Sequence, residues 1–413
     1  MIGRGCGTVV ATRGGLLEAE LPFARAGDIV SVRGGSTVTA RVVALSGTRC
    51  TLAPWSALDG IGRGDAVVVE PPSCGLGTVL LGRAVDAHGA ALDGRPPIRA
   101  QRFVREFPII GVDQRRACTQ LFATGMRAID GPLGFGRGAR IGVFGAPGAG
   151  KSTLLEAIAR GSDADAVVVA LIGERGREAE RRIERLDART TIVCATGDRA
   201  PAERVRAAEL AFAQAEALRE RGLDVVLVVD SLARVAGAAR EIALAAGEAP
   251  GRGGYPPGVF AGLARLLERA GPTVRGTITL VASVLSDGPD ELDPVSEAAR
   301  AALDGHLVLS ERLARLGRFP AIDLVKSTSR TLADCGSAAH LEAARIVRAA
   351  VAALDESRDA RALGIDAAAG DPFLARCVAH EAALDALLAQ DDEPCPFSHT
   401  FAALVSVANL VRP

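Results

Sequence analysis

Lysine is nearly absent from this chain: in 413 residues only Lys151 and Lys326 occur, and arginine supplies the rest of the 48 basic residues. Alongside abundant alanine and glycine, that bias fits a GC-rich coding sequence, so a surface arginine carries little functional weight by itself. Aromatic residues make up 3% of the chain, with one Trp (Trp55) and one Tyr (Tyr255). That is too few for a platform on which successive bases stack, and it argues against nucleic acid as a partner. An excess of one charge sign is also missing. With 48 basic against 49 acidic residues the net charge is −1, which points to neither a polyanion nor an anionic membrane surface. No run of about 18 apolar residues occurs, and residues 1–15 contain no apolar leader core. The expectation is a soluble, unexported, cytoplasmic protein. The eight cysteines (6, 50, 74, 118, 194, 335, 377 and 395) form no C-x-x-C pair and have no companion histidine at ligand spacing. This disfavours a zinc site and fits a reducing compartment, with Cys194 read as a small core residue. The five histidines are scattered, and none is placed for catalysis.

What is present is 48% hydrophobic and 23% charged residues, an ordinary globular balance with material for two or three domains. Residues 1–72 carry short β-rich runs (7–11, 16–21, 28–33, 38–45 and 66–70) separated by glycine-bearing turns such as Arg33-Gly34-Gly35-Ser36. These predict a small antiparallel β-barrel, bounded by Pro71 and Pro72. Over 73–338 the pattern changes to apolar runs (140–144, 166–172, 191–195, 225–229, 277–284 and 322–325) alternating with helical segments such as 152–160 and 202–221, which end at Gly161 and Gly222. Several runs are apolar on both faces, as parallel strands covered by helices on each side must be. The expected class is α/β with a mainly parallel sheet. Residues 339–413 are rich in Ala and Leu with helical periodicity at 340–354 and 372–388, predicting a small helical domain.

The sharpest local signal is Gly145-Ala146-Pro147-Gly148-Ala149-Gly150-Lys151-Ser152, which satisfies G-x-x-x-x-G-K-[ST] between a predicted strand and a predicted helix. Its glycines let backbone N–H groups converge on phosphate oxygens, and the helix N-terminus adds its positive dipole end. Lys151 would bridge the β- and γ-phosphates, the Ser152 hydroxyl would ligate Mg²⁺, and Thr153 completes the nucleotide-binding set. The ligand implied is a nucleoside triphosphate, ATP first. Two acids end apolar runs, where a parallel sheet presents its ligand site. Asp230, before Ser231, has the pattern of an aspartate that holds Mg²⁺ through its water shell, with a helix N-cap at Asp230 or Ser231 as the alternative. Glu174, in Gly173-Glu174-Arg175-Gly176-Arg177-Glu178, is placed either to polarise an attacking water or simply to be solvated in a charged loop. Gly134-Phe135-Gly136-Arg137-Gly138 precedes its strand and lacks dinucleotide-binding spacing, so it reads as a turn.

Taken together, these segments resemble the rotary-type ATPase family, and within it the homohexameric ATPases of type III secretion and flagellar export. The likeness is carried by Leu80-Leu81-Gly82-Arg83-Ala84-Val85-Asp86, by Thr124-Gly125-Met126-Arg127-Ala128-Ile129-Asp130, by 171–178, and by 230–260 with Gly254-Tyr255-Pro256-Pro257. It implies a RecA-like P-loop core, ATP hydrolysis with Mg²⁺, and a hexamer at the inner membrane's cytoplasmic face. It also implies secretion-apparatus partners: a central stalk, a stator-like regulator and chaperone–cargo complexes. By the same resemblance Glu174 is the catalytic glutamate, Arg175 a phosphate-side arginine, Phe319 an aromatic packed on adenine, and Arg330 a finger inserted by a neighbouring subunit. Lys326 is unusual for the secretion branch, and the segment after residue 338 follows the family pattern only loosely. A non-catalytic nucleotide-binding subunit and an RNA-translocating hexamer are the alternatives. The first would lack the carboxylate that Glu174 provides, and the second is disfavoured by the aromatic-poor barrel.

Overall fold

The computed structural model describes residues 6–70, 75–98, 110–285, 293–366, 368–391 and 393–412. The expected boundary at Pro71 and Pro72, and Cys74, lie outside them. The chain divides into two compact units, one of residues 1–110, 166–221 and 229–269, the other of 111–165, 222–228 and 270–413. The fold class is the expected one: a RecA-like core with a mixed, mainly parallel sheet, an N-terminal six-stranded barrel and a C-terminal helical bundle.

In the first unit, β1 (Cys6–Arg13), β2 (Leu16–Glu20), β3 (Ile29–Arg33), β4 (Thr37–Ser46), β5 (Arg49–Pro54) and β6 (Ala66–Val69) close a barrel in the order β1-β2-β5-β4-β3-β6. Closure leaves no unpaired edge. Alternation along each strand fills the interior with Val9, Leu17, Ala19, Val30, Val32, Ala40, Leu52 and Val67. At Gly7 any Cβ would overlap the Glu20 carbonyl, so only glycine lets β1 approach β2 there. The strand β5 is absent from the sequence expectation, because its run is short and ends in proline. The same unit holds the parallel strands Ala166–Ile172, Thr190–Ala195 and Arg83–Val85, the middle one pairing with both others. All seven residues of Ala166–Ile172 are buried, as its two-faced apolar run requires. The helix Pro201–Arg219 packs on these strands. Its Gln214 donates to the carbonyl of Gly77 (3.0 Å) and the hydroxyl of Thr191 (3.2 Å), and accepts the Gly77 N–H (2.7 Å). Trp55 is interior, with the Arg206 guanidinium 5.4 Å and the His88 ring 5.3 Å from its ring. Cys194 is a core residue whose thiol burial pushes up to about 11.

In the second unit the strand Arg140–Gly145 runs parallel to Thr277–Leu285 on one side and to Gly305–Leu309 on the other. The run expected at 322–325 is the longer strand Ile322–Ser329, antiparallel to Gly305–Leu309. The chain turns back through the short helix Glu311–Arg315 and pairs with the strand it has just left. The C-terminal helices are Ala338–Ala362, Pro372–Ala379, Glu381–Leu388 and Phe397–Leu410. The helix expected over 372–388 is thus two helices that meet at His380, a bend that no glycine or proline announces.

Two buried side chains fasten these helices to the segment that leads into the P-loop. His340 contacts the Gly131 carbonyl at 2.6 Å through Nε2, its ring lying against Phe397 and Phe401. Gln390 donates to the carbonyls of Gly125 and Glu393 (2.7 Å each) and accepts the Arg127 N–H (2.7 Å). Removing a side chain with three such bonds strands buried backbone groups. Gln390→Ala is therefore expected to cost about 2–3 kcal/mol, read as a lower urea midpoint by circular dichroism. An unchanged midpoint would refute the role given to these bonds.

Candidate active site

The strand Arg140–Gly145 passes into the helix Lys151–Gly161 through Ala146–Gly150. Gly148 (φ +80°) and Gly150 (φ +93°) take left-handed conformations, although nothing lies within 4 Å of where a Cβ would stand. Backbone geometry, not crowding, demands glycine here. The result is an open loop that ends on a helix N-terminus, the arrangement that receives a phosphate chain. Pro147 and Gly148 are exposed, Ser152 is half-buried and Thr153 exposed. The Lys151 ammonium donates to the carbonyls of Gly145 (2.5 Å) and Ala146 (2.7 Å), which holds it folded over the loop.

Phe319 and Arg330 flank the strand Ile322–Ser329, and its register separates them. Ile322 pairs with Leu309, and Val308 pairs with Phe144, so the Phe319 end lies at the carboxyl end of the P-loop strand. Ser329 pairs with Gly305, and Gly305 with Ile141, so Arg330 lies at the opposite end. Its N–H donates to the carbonyl of Asp304, whose carboxylate is paired with Arg140 at that strand's first residue. At about 3.3 Å per residue, Arg330, level with Arg140, stands roughly 16 Å back along the strand from Gly145. The Arg330 side chain is exposed and forms no ion pair among the described residues. Phe319 is half-buried, its carbonyl accepting the Gln390 N–H at 2.8 Å. Lys326 is exposed on the same strand, 3.9 Å from Asp323.

The acids lie in the first unit. Glu174 follows the strand Ala166–Ile172 across Gly173 (φ +71°). The loop is clipped in place, with the Gly173 N–H donating to Ala195 (2.6 Å) and the Gly197 N–H donating to the Glu174 carbonyl (3.1 Å). The Glu174 side chain is buried, and its pKa is raised to about 7. Burial is the largest cause and the negative charge of Asp230 the next, with Glu178 adding to the rise; Arg234, 3.6 Å away, opposes them. Asp230 ends the strand Asp224–Asp230, is buried, and accepts a hydrogen bond from Arg182 at 3.2 Å. The two readings of 230–231 separate cleanly. Ser231 is the N-cap of the helix Leu232–Ala245, accepting the Arg234 N–H at 3.4 Å, and the Asp230 carboxylate is held by arginine instead. Arg175 is exposed at the start of the helix Gly176–Glu184.

Within this unit, then, Glu174 and Asp230 come together. A carboxyl that titrates near neutrality beside a second acid is suited to proton transfer. Sequence reasoning missed Arg182 and Arg234. The available signal for Arg182 was its i, i+4 spacing from Glu178, which puts both on one helix face. Because Asp230 helps hold the Glu174 proton, Asp230→Asn should move the Glu174 titration down towards the ordinary carboxylate range, as followed by carbon NMR of the carboxyl group. An unmoved midpoint would refute the coupling.

Residues 125–329 match the ATP synthase alpha/beta family, nucleotide-binding domain. The chain is 41% identical to the flagellum-specific ATP synthase of Treponema pallidum (strain Nichols), over 98% of this chain and 93% of that protein. It is also 41% identical to the type 3 secretion system ATPase of Sinorhizobium fredii (strain NBRC 101917 / NGR234), over 95% and 90% respectively. Among solved structures, the assembled ATPase EscN of the enteropathogenic E. coli type III secretion system is similar with a TM-score of 0.91 and 34% identity, covering 97% of this chain and 100% of that one. EscN in complex with its central stalk EscO gives a TM-score of 0.88 at the same identity and coverage. At these identities and coverages, the chain belongs to the flagellar and type III secretion ATPase family.

Proposed function

We propose that this chain hydrolyses ATP as a homohexamer and uses the energy to release or unfold substrates of type III protein export. The observation that carries the shared-site part of this reading is the position of Arg330, at the end of the sheet strands opposite its own P-loop. A finger so placed serves the nucleotide of a neighbouring copy.

In this reading the P-loop amides and Lys151 hold the phosphates, and Phe319 packs on the adenine. Arg175 and the neighbour's finger balance charge developing on the transferred phosphoryl group. Glu174 polarises the attacking water. The Ser152 hydroxyl and the Asp230 carboxylate would hold magnesium, to which both offer hard oxygen donors. Bound there, magnesium supplies compensation for phosphate charge. No described helix is long and apolar enough to cross a membrane. We place the hexamer in the cytoplasm, peripheral to the inner membrane. Its partners would be a central stalk, as EscO is to EscN, a stator-like regulator, and chaperone–cargo complexes.

Lys151→Ala should abolish nucleotide binding and turnover, whereas Glu174→Gln and Arg330→Ala should each lower phosphate release by at least about a hundredfold while nucleotide still binds. Substantial turnover by Glu174→Gln would remove the base from the account. The raised pKa gives a pH signature with a definite sign. Below about 7 the Glu174 carboxyl holds its proton and cannot accept another, so kcat should rise as pH increases through about 7. A kcat that is flat between pH 6 and 8 would contradict this.

A further inference from the structure

Arg182 is the feature of the acidic site that the proposed chemistry leaves unused. It lies on the helix Gly176–Glu184, which begins two residues after Glu174, and its guanidinium donates to Asp230 at 3.2 Å. Both partners are largely withdrawn from water, the Arg182 side chain 14% and the Asp230 side chain 4% exposed. Glu174, Glu178 and Arg234 belong to the same charged cluster. An arginine cannot relieve a charge conflict by losing its proton. A divalent cation drawn to Asp230 through its water shell therefore meets a fixed positive charge already on that carboxylate, and the two compete for it.

We infer that Arg182 is a positioning residue that keeps Asp230 compensated and oriented, and that it sets the magnesium concentration at which the site takes up nucleotide. This rests on the reading of Asp230 as the magnesium-side aspartate. A buried carboxylate without a partner is costly. Arg182 supplies a partner, and magnesium bound at Asp230 would compete with it for the carboxylate. Because Arg182 belongs to the helix Gly176–Glu184, which begins two residues after Glu174, metal uptake would be linked to the segment that carries Glu174.

The test is binding of a non-hydrolysable, fluorescent ATP analogue at fixed concentration, titrated with Mg²⁺, in the full chain. Arg182→Gln removes the charge while retaining a polar N–H donor, and Arg182→Lys keeps the charge. Melting curves of both are recorded alongside. For Arg182→Gln the magnesium concentration at half-maximal binding should fall about five- to tenfold, while Arg182→Lys should stay within about twofold of the parent. The proposal is overturned if Arg182→Gln has the parent's magnesium dependence, or needs more magnesium. Should Arg182→Gln fail to fold, Arg182→Lys decides: the weaker grip of an ammonium on a carboxylate must not raise the magnesium requirement beyond twofold. Absence of analogue binding by the parent at any magnesium concentration would overturn the nucleotide reading and this inference with it, an outcome distinct from binding that ignores residue 182.

Discussion

A parallel strand has two ends, and the chain uses them differently. The carboxyl end of Arg140–Gly145 opens into the glycine loop, where Gly148 and Gly150 take left-handed conformations open to glycine without strain. The other end lies beside Asp304 and Arg330, fixed there by the pairing of Gly305 with both Ile141 and Ser329. No rotamer of an arginine spans a strand's length, so this pairing keeps Arg330 away from its own P-loop. In the proposed reading, in which Arg330 is the finger, dependence of activity on assembly follows from that register.

The acidic half of the machinery rests on electrostatics. Glu174 and Asp230 are both buried, and like charges this close cannot both ionise cheaply. The structure relieves the conflict in two ways: the Glu174 proton is retained to about pH 7, and Asp230 is matched by Arg182. The choice of cation elsewhere is equally telling. In a chain with one other lysine, Lys326, a lysine stands at 151, where a compact ammonium folds back onto two loop carbonyls. A planar guanidinium has no such compact, three-donor head for that loop.

Much of this was legible in the residues. The P-loop is a consecutive motif and its strand–loop–helix context could be read directly. Runs apolar on both faces announced buried parallel strands, and Ala166–Ile172 is buried at every position. Less visible was whatever depends on pairing or on which face a helix presents. The short strands Arg83–Val85 and Gly305–Leu309 carry too few residues for a clear period. The antiparallel return of Ile322–Ser329 and the break at His380 have no local marker. Arg182 looked like one surface arginine among many, and only the packing of its helix brings it to Asp230. The roles proposed for Glu174 and Arg330 came from resemblance; the burial of the one and the register of the other are what the fold adds.

In the proposed reading catalysis is completed between copies of the chain. Two inactive variants test it: Arg330→Ala, which keeps Glu174 but offers no finger, and Glu174→Gln, which offers a finger but no base. Mixed before assembly, they should recover phosphate release, with a maximum near equal proportions, because Glu174→Gln subunits lend Arg330 to sites that retain Glu174. No recovery at any ratio, with mixed assemblies shown to form, would contradict the account.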